Sequence, residues 1–260
     1  GGDIPPYHTL LITAPEEDIG VFVATNSDDA AGKILELGVE ATTRLVEAKH
    51  GRRYGQTSLL DQPEERIDEA TLQRLSGYWA SPLGLVQASG ARGRLRLELS
   101  QGKLTTVHRG DGYLTPEVRI LGIPVVQLYP LYFRFREIEG TQLLALYQGG
   151  VFVGNAVKFE PAPVPEAWRA RVGSYKIING DEDSALGRPA LDYDPTTGLL
   201  TFHADSDIGG GSFEIPLRAI DRNRAVTEGM GRLMGEMVEV RLVDGEERLY
   251  YSGFEMRRVD

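Results

Sequence analysis

From residue 68 onward the chain is written in short stretches of alternating polarity, broken about every ten residues by Gly, Asp, Asn or Pro, a pattern that suits antiparallel β-sheet and little else. Leu95, Leu97 and Leu99 alternate with Arg94, Arg96 and Glu98, and Phe133 and Phe135 alternate with Arg134 and Arg136. Successive side chains of a strand point to opposite faces, so each such stretch has one apolar and one wet side. The pattern also recurs. A helical segment at 68–75 leads into Ser76-Gly77-Tyr78-Trp79, another at 165–172 leads into Gly173-Ser174-Tyr175-Lys176, and the two tyrosines stand 97 positions apart. Gly102-Lys103-Leu104-Thr105 and Gly198-Leu199-Leu200-Thr201, 96 positions apart, supply a second anchor. A module of just under a hundred residues is therefore expected twice, at 68–160 and 161–260, joined by the semi-rigid run Pro161-Ala162-Pro163-Val164-Pro165. With seven to nine candidate strands in each, both copies can close into small antiparallel barrels, a pair of sandwiches being the competing form. Trp79 and Trp168, at the entry to each copy, are expected to plug a barrel end.

The first fifty residues have a different character. Stretches 8–14 and 19–25 are almost continuously apolar and flank the turn Pro15-Glu16-Glu17-Asp18, as strands covered on both faces do. Asn26-Ser27-Asp28-Asp29 offers a cap and an acidic first turn to a helix running to about residue 48, with Ile34, Leu37, Ala41, Leu45 and Ala48 on one face. One hairpin and one helix bury too little to stand alone. This segment calls for a covering partner. Residues 51–67 are polar and Gly-containing and read as a linker.

Composition narrows the function classes. The formal net charge of -10 disfavours a nucleic-acid partner, which demands a basic face to displace counterions. No apolar run reaches the length of about 20 residues that spans a bilayer, so no membrane segment is expected. With no cysteine there is no thiolate nucleophile or thiolate metal site, and the compartment stays open between a bacterial periplasmic or exported location and the cytoplasm.

The order of features in the first fifty residues resembles the closing part of the catalytic domain of beta-lactamase-like, penicillin-binding-protein-like serine hydrolases, of the D-aminopeptidase or esterase type. In that family a late strand carries Lys-Thr-Gly or His-Gly-Gly, followed by a small loop, an apolar strand, Pro-Glu with a turn, a second strand ending in Thr-Asn, and a C-terminal helix. Gly1-Gly2-Asp3-Ile4-Pro5-Pro6-Tyr7-His8-Thr9-Leu10-Leu11 matches the region after the motif's His or Lys, and 14–26, from Ala14-Pro15-Glu16 to Thr25-Asn26, matches the strand pair. The match covers about a fifth of the chain. It implies a mainly β protein: the hairpin and helix of an α/β catalytic domain (1–50), followed by two antiparallel, lipocalin-like barrels. It further implies that the backbone N–H of Asp3 is an oxyanion-hole donor, worth roughly a hundredfold in rate, and that Gly1, Gly2 and Tyr7 lie along the substrate.

The resemblance also implies what is missing. The family's Ser-x-x-Lys nucleophile sits at a helix start, where one turn places the amine beside the hydroxyl. The literal Ser100-Gln101-Gly102-Lys103 lies between two strands with Gly at its centre, and reads as a hairpin turn. The chain alone is therefore expected to be inactive, its partner being an N-terminal catalytic portion of the same protein, with a homodimer as a further option for covering the hairpin. No cofactor and no metal site is expected: the acidic stretches at 181–183 and 205–207 lack the full calcium-loop pattern. In the D-aminopeptidase pattern a loop of the last barrel restricts access to the active site, and 179–187 and 204–212 are the candidates. The alternative is a non-catalytic barrel module for small-ligand binding or dimerisation.

Overall fold

A computed structural model of the chain describes residues 1–4, 6–30, 33–53, 62–100, 102–110, 112–120, 123–127, 131–148, 151–180, 186–206, 211–231 and 233–259. The protein is mainly β, with a small N-terminal sheet and two closed eight-stranded antiparallel barrels. No described helix is long and apolar enough to cross a membrane.

The N-terminal unit has strands β1 (Gly2–Ile4), β2 (Tyr7–Ala14) and β3 (Ile19–Thr25) in the order β1-β2-β3. A short 3-10 turn at Pro15–Glu17 closes the hairpin, with Asp18 in the left-handed conformation (φ 51°). Helix α1 (Lys33–His50) packs on one face, and Gly38 makes the approach possible: a Cβ there would lie 2.9 Å from the Ile12 side chain and 3.1 Å from that of Leu10. The helix is rotated relative to its apolar stripe. Its sheet side is centred on Gly38, while Leu37 and Leu45 are 58% and 48% exposed. Of the expected stripe, Ile34 and Ala41 are half-buried, whereas Leu37, Leu45 and Ala48 are exposed.

The first barrel is entered through β4 (Glu64–Glu65) and α2 (Glu69–Leu75). The Asp68 carboxylate accepts from the Thr71 N–H at 2.9 Å, and this N-cap bond holds its carboxyl below the usual range. Strands β5 (Gly77–Ser81), β6 (Gly84–Ala91), β7 (Arg94–Leu99), β8 (Gly102–Arg109), β9 (Tyr113–Ile120), β10 (Ile123–Gln127), β11 (Leu131–Ile138), β12 (Thr141–Gln148) and β13 (Val151–Phe159) follow. All but β10 form the ring, which closes through β13 on β5 (Val157↔Ala80) and β8 on β9 (Val107↔Thr115); β10 is a flap on β9. Of the expected linker, 54–61 lies outside the described residues. Its end adds β4 to the edge of β8, and Ile67 enters the core.

The second barrel follows the four-residue helix α3 (Glu166–Arg169). Its strands are β14 (Gly173–Ile177), β15 (Gly187–Asp194), β16 (Leu199–Ser206), β17 (Gly211–Ala219), β18 (Arg224–Thr227), β19 (Met237–Val243), β20 (Glu246–Tyr251) and β21 (Phe254–Arg258). They close in sequence order through β14 and β21. Both interiors are packed with side chains: Trp79, Leu95 and Phe133 in the first, Trp168, Phe202 and Ile215 in the second.

Two details of the repeat differ from the sequence expectation. The tryptophans are both 0% exposed, but Trp79 projects from strand β5 and Trp168 from helix α3. Each indole N–H donates to a backbone carbonyl, of Leu75 (2.9 Å) and Asp221 (2.8 Å), and each ring carries a cation, Lys158 at 6.0 Å and Arg171 at 5.4 Å. Two routes thus bring a buried indole into each core. The second anchor is not equivalent: Gly102 opens the fourth strand of its barrel and Gly198 precedes the third of the other. A turn glycine at positive φ followed by strand formers recurs at any hairpin, so the matching offset is incidental.

Candidate functional site

Strand β1 pairs with β2 in the register Gly2↔Thr9, Asp3↔His8 and Ile4↔Tyr7, which places Gly2, Asp3 and Tyr7 in one hairpin with Gly1 just before it. Both glycines lie close against Thr9. A Cβ at Gly1 would lie 2.8 Å from the Thr9 carbonyl oxygen, and one at Gly2 would lie 3.1 Å from the Thr9 hydroxyl. That hydroxyl accepts from the Gly2 N–H at 3.0 Å and donates to the Gly2 carbonyl at 3.3 Å, fixing the short edge strand. Sequence reasoning missed Thr9; the visible signal is a hydroxyl near the start of an apolar strand that follows Gly-Gly. Beyond β1 no further strand is paired among the described residues, so its outer edge is open to an extended ligand.

Tyr7 is 63% exposed and shares its face of the sheet with Thr9 and Leu11. The cross-strand pair Leu11↔Phe22 lies on this face, 59% and 67% exposed, while its neighbours Leu10↔Val23 and Ile12↔Val21 lie beneath α1. His8 is buried on the helix side, 6% exposed, where it packs rather than reaching the open face. Between this unit and the first barrel is a cleft of about 490 Å³ lined by Leu11, Thr13, Val39, Thr43 and Phe152. Phe152 ends an aromatic row along the outside of the barrel: it meets Tyr147 at 5.8 Å, and Tyr147 stacks on Tyr132 at 5.1 Å.

Ser100 is in the turn between β7 and β8, and Lys103 is drawn across the hairpin to Glu98 at 2.8 Å. The hydroxyl and the amine are therefore not held as on a helix turn. Ser100 lines the cleft between the two barrels, away from the β1 edge. Of the two candidate access loops, the central residues 181–185 and 207–210 lie outside the described residues. The flanks are anchored: the Asn179 amide bonds the Gly253 carbonyl (2.9 Å) and accepts from the Glu255 N–H (2.7 Å), and Arg188 pairs with Asp205. Among the described residues no three His, Asp or Glu side chains are grouped to hold a metal ion.

What this arrangement can do chemically is bind an extended chain along a strand edge beside an apolar face; it supplies backbone donors but, among the described residues, no nucleophile–base pair at that edge. Compared with protein-family models and with curated proteins, the chain matches none.

Proposed function

We propose that residues 1–50 are the closing part of the catalytic domain of a serine hydrolase, acting by acyl transfer on an amide or ester, and that the two barrels are its accessory domains. The observation that carries this reading is the pair of apolar faces on the N-terminal unit. Leu11 and Phe22 lie open on the sheet, and Leu37 and Leu45 on the helix. Burying each such side chain is worth about 1.5–3 kcal/mol, so a unit with both faces open is built to be an inner layer. The occupant is the N-terminal catalytic portion of the same protein, carrying Ser-x-x-Lys. In that setting the β1 edge lies along the substrate, with the Asp3 N–H as an oxyanion donor, Gly1 and Gly2 allowing close approach, and Tyr7 beside the bound chain. The alternative of a ligand-holding barrel interior is disfavoured by the side chains that fill both.

The test is a labelling and turnover assay. This chain alone should hydrolyse neither a chromogenic ester, a β-lactam nor a D-alanyl anilide. A product of the same reading frame extended upstream should do so, and should be labelled by a serine-directed probe outside residues 1–260. Turnover by the chain alone that is abolished by Ser100→Ala would refute the reading, as would an upstream frame without Ser-x-x-Lys.

A further inference from the structure

Where helix α3 meets the end of the second barrel, a pocket of about 190 Å³ opens between the helix and strands β19 to β21. Four arginines line it, Arg171, Arg222, Arg248 and Arg258, against a single carboxylate, that of Glu247. The chain as a whole is strongly acidic, with a net charge of -10, so this pocket is a local reversal of sign. Its one carboxylate is already engaged. Glu247 receives Arg171 through two hydrogen bonds, at 2.9 and 2.6 Å. Arg171 is 5% exposed and also donates to the Arg222 carbonyl and, at 3.0 Å, to the Asn223 side-chain oxygen. It is a fixed base beneath the other three. Arg222 is exposed, and its guanidinium has no hydrogen-bond or ion-pair partner among the described residues.

Arg248 is the second, independent sign. Its Nη2 reaches Glu246 at 3.1 Å and its Nη1 lies 3.9 Å from Glu255, neither of which lines the pocket. Its Nε–H, however, is buried and has no hydrogen-bond partner. A buried donor on a charged group costs free energy unless something supplies an acceptor. The backbone carbonyls that would repel an anion here are both taken: Ala170 accepts from Arg258 Nη1 at 2.8 Å, and Arg171 from the Tyr175 hydroxyl at 2.7 Å. Guanidinium forks suit the oxygens of a phosphate or carboxylate. With Arg171 neutralised by Glu247, the remaining cations match a dianion better than a single negative charge.

We propose that this barrel-end pocket binds a phosphate dianion, held by Arg222, Arg248 and Arg258 above the Arg171–Glu247 pair. The group occurs both as free phosphate and at the end of a monoester, whose carbon stem would lie against Val240 and Leu249 in the same pocket. The site is independent of the hydrolase reading, since none of its residues belongs to the N-terminal unit.

Calorimetric titration of the full chain at low ionic strength decides the matter, with inorganic phosphate, phenyl phosphate and acetate as probes. Saturable binding of a phosphate is expected, at least tenfold tighter than acetate, the tighter of the two phosphates naming the source. Arg222→Gln and Arg248→Gln should each weaken it about tenfold. Arg257→Gln is the control: Arg257 is exposed on the outer wall directly opposite Arg248 but does not line the pocket, so its loss should change affinity less than twofold. Melting temperatures show which variants are folded, and the exposed Arg222 keeps the test open if Arg248→Gln does not fold. Lack of saturable phosphate binding, acetate binding as tightly as phosphate, unchanged affinity in Arg222→Gln, or an equal loss in Arg257→Gln would each overturn the proposal.

Discussion

Glu117 and Arg109 form an ion pair on the wall of the first barrel, and removing one charge tests how that wall is held. Glu117 is 0% exposed and Arg109 5% exposed, with Nη2 donating to Oε1 at 2.9 Å. The register places both on the side opposite the core residue Leu114, beneath the chain at 62–64. Arg109 also donates to the Gln62 carbonyl at 2.9 Å and to the Thr115 hydroxyl at 3.3 Å, and approaches Glu64 at 3.5 Å. Glu117→Gln keeps the shape and leaves a buried guanidinium opposite a neutral amide. Breaking a buried pair costs about 3–5 kcal/mol. The Glu64 carboxylate, though half-exposed, offsets part of this, so about 3 kcal/mol is expected, or about 12–24 °C in the melting temperature of a domain this size. The double variant Arg109→Met, Glu117→Leu should recover most of the loss, because the desolvation cost disappears with the charges. The two tryptophans make the assay specific, one being buried in each barrel. Urea unfolding in a Trp168→Phe background reports the first barrel through Trp79, and the reverse background reports the second. A loss below about 1 kcal/mol, or an equal loss reported by Trp168, would refute the reasoning.

Acid should destabilise the second barrel. Glu247 receives two hydrogen bonds from Arg171, at 2.9 and 2.6 Å, and these hold its carboxyl below the ordinary range. A depressed folded-state pKa contributes stability above the unfolded value and loses it as pH falls through the folded one. The melting temperature reported by Trp168 should therefore drop on acidification below the usual carboxylate range, and Glu247→Gln should flatten that dependence. Gly84→Ala should loosen the barrel pair, since Gly84 holds φ +95° and faces Glu214 backbone at 3.0 Å. A cost of about 1–3 kcal/mol and a larger radius of gyration in solution scattering are expected, and unchanged scattering would contradict the backbone contact.

Much of the β architecture could be read from period and punctuation. Alternation at 94–99 and 131–136 corresponds to β7 and β11, and the hairpin at 8–25 to β2 and β3. Closure into barrels rather than sandwiches could not, because it depends on whether first and last strands pair, as β5 with β13 and β14 with β21 do. The helix stripe at Leu37 and Leu45 was legible as apolar, but not what it faces. Of the candidate site, Gly1, Gly2, Asp3 and Tyr7 were visible as a motif, whereas Thr9 was not.

By itself, then, the amino-acid sequence determined local choices: where strands alternate, where glycine and proline turn the chain, and which side chains are apolar enough to be buried. Those follow from steric and solvation preferences acting over a few residues. Only the tertiary structure decided that Trp79 and Trp168 reach the two cores from a strand and a helix, that Arg109 meets Glu117, and that Asp192, Thr201 and Glu214 share one cleft with Tyr78. Such meetings join residues far apart in the chain, and their geometry is set by strand register and barrel closure rather than by any short stretch of sequence.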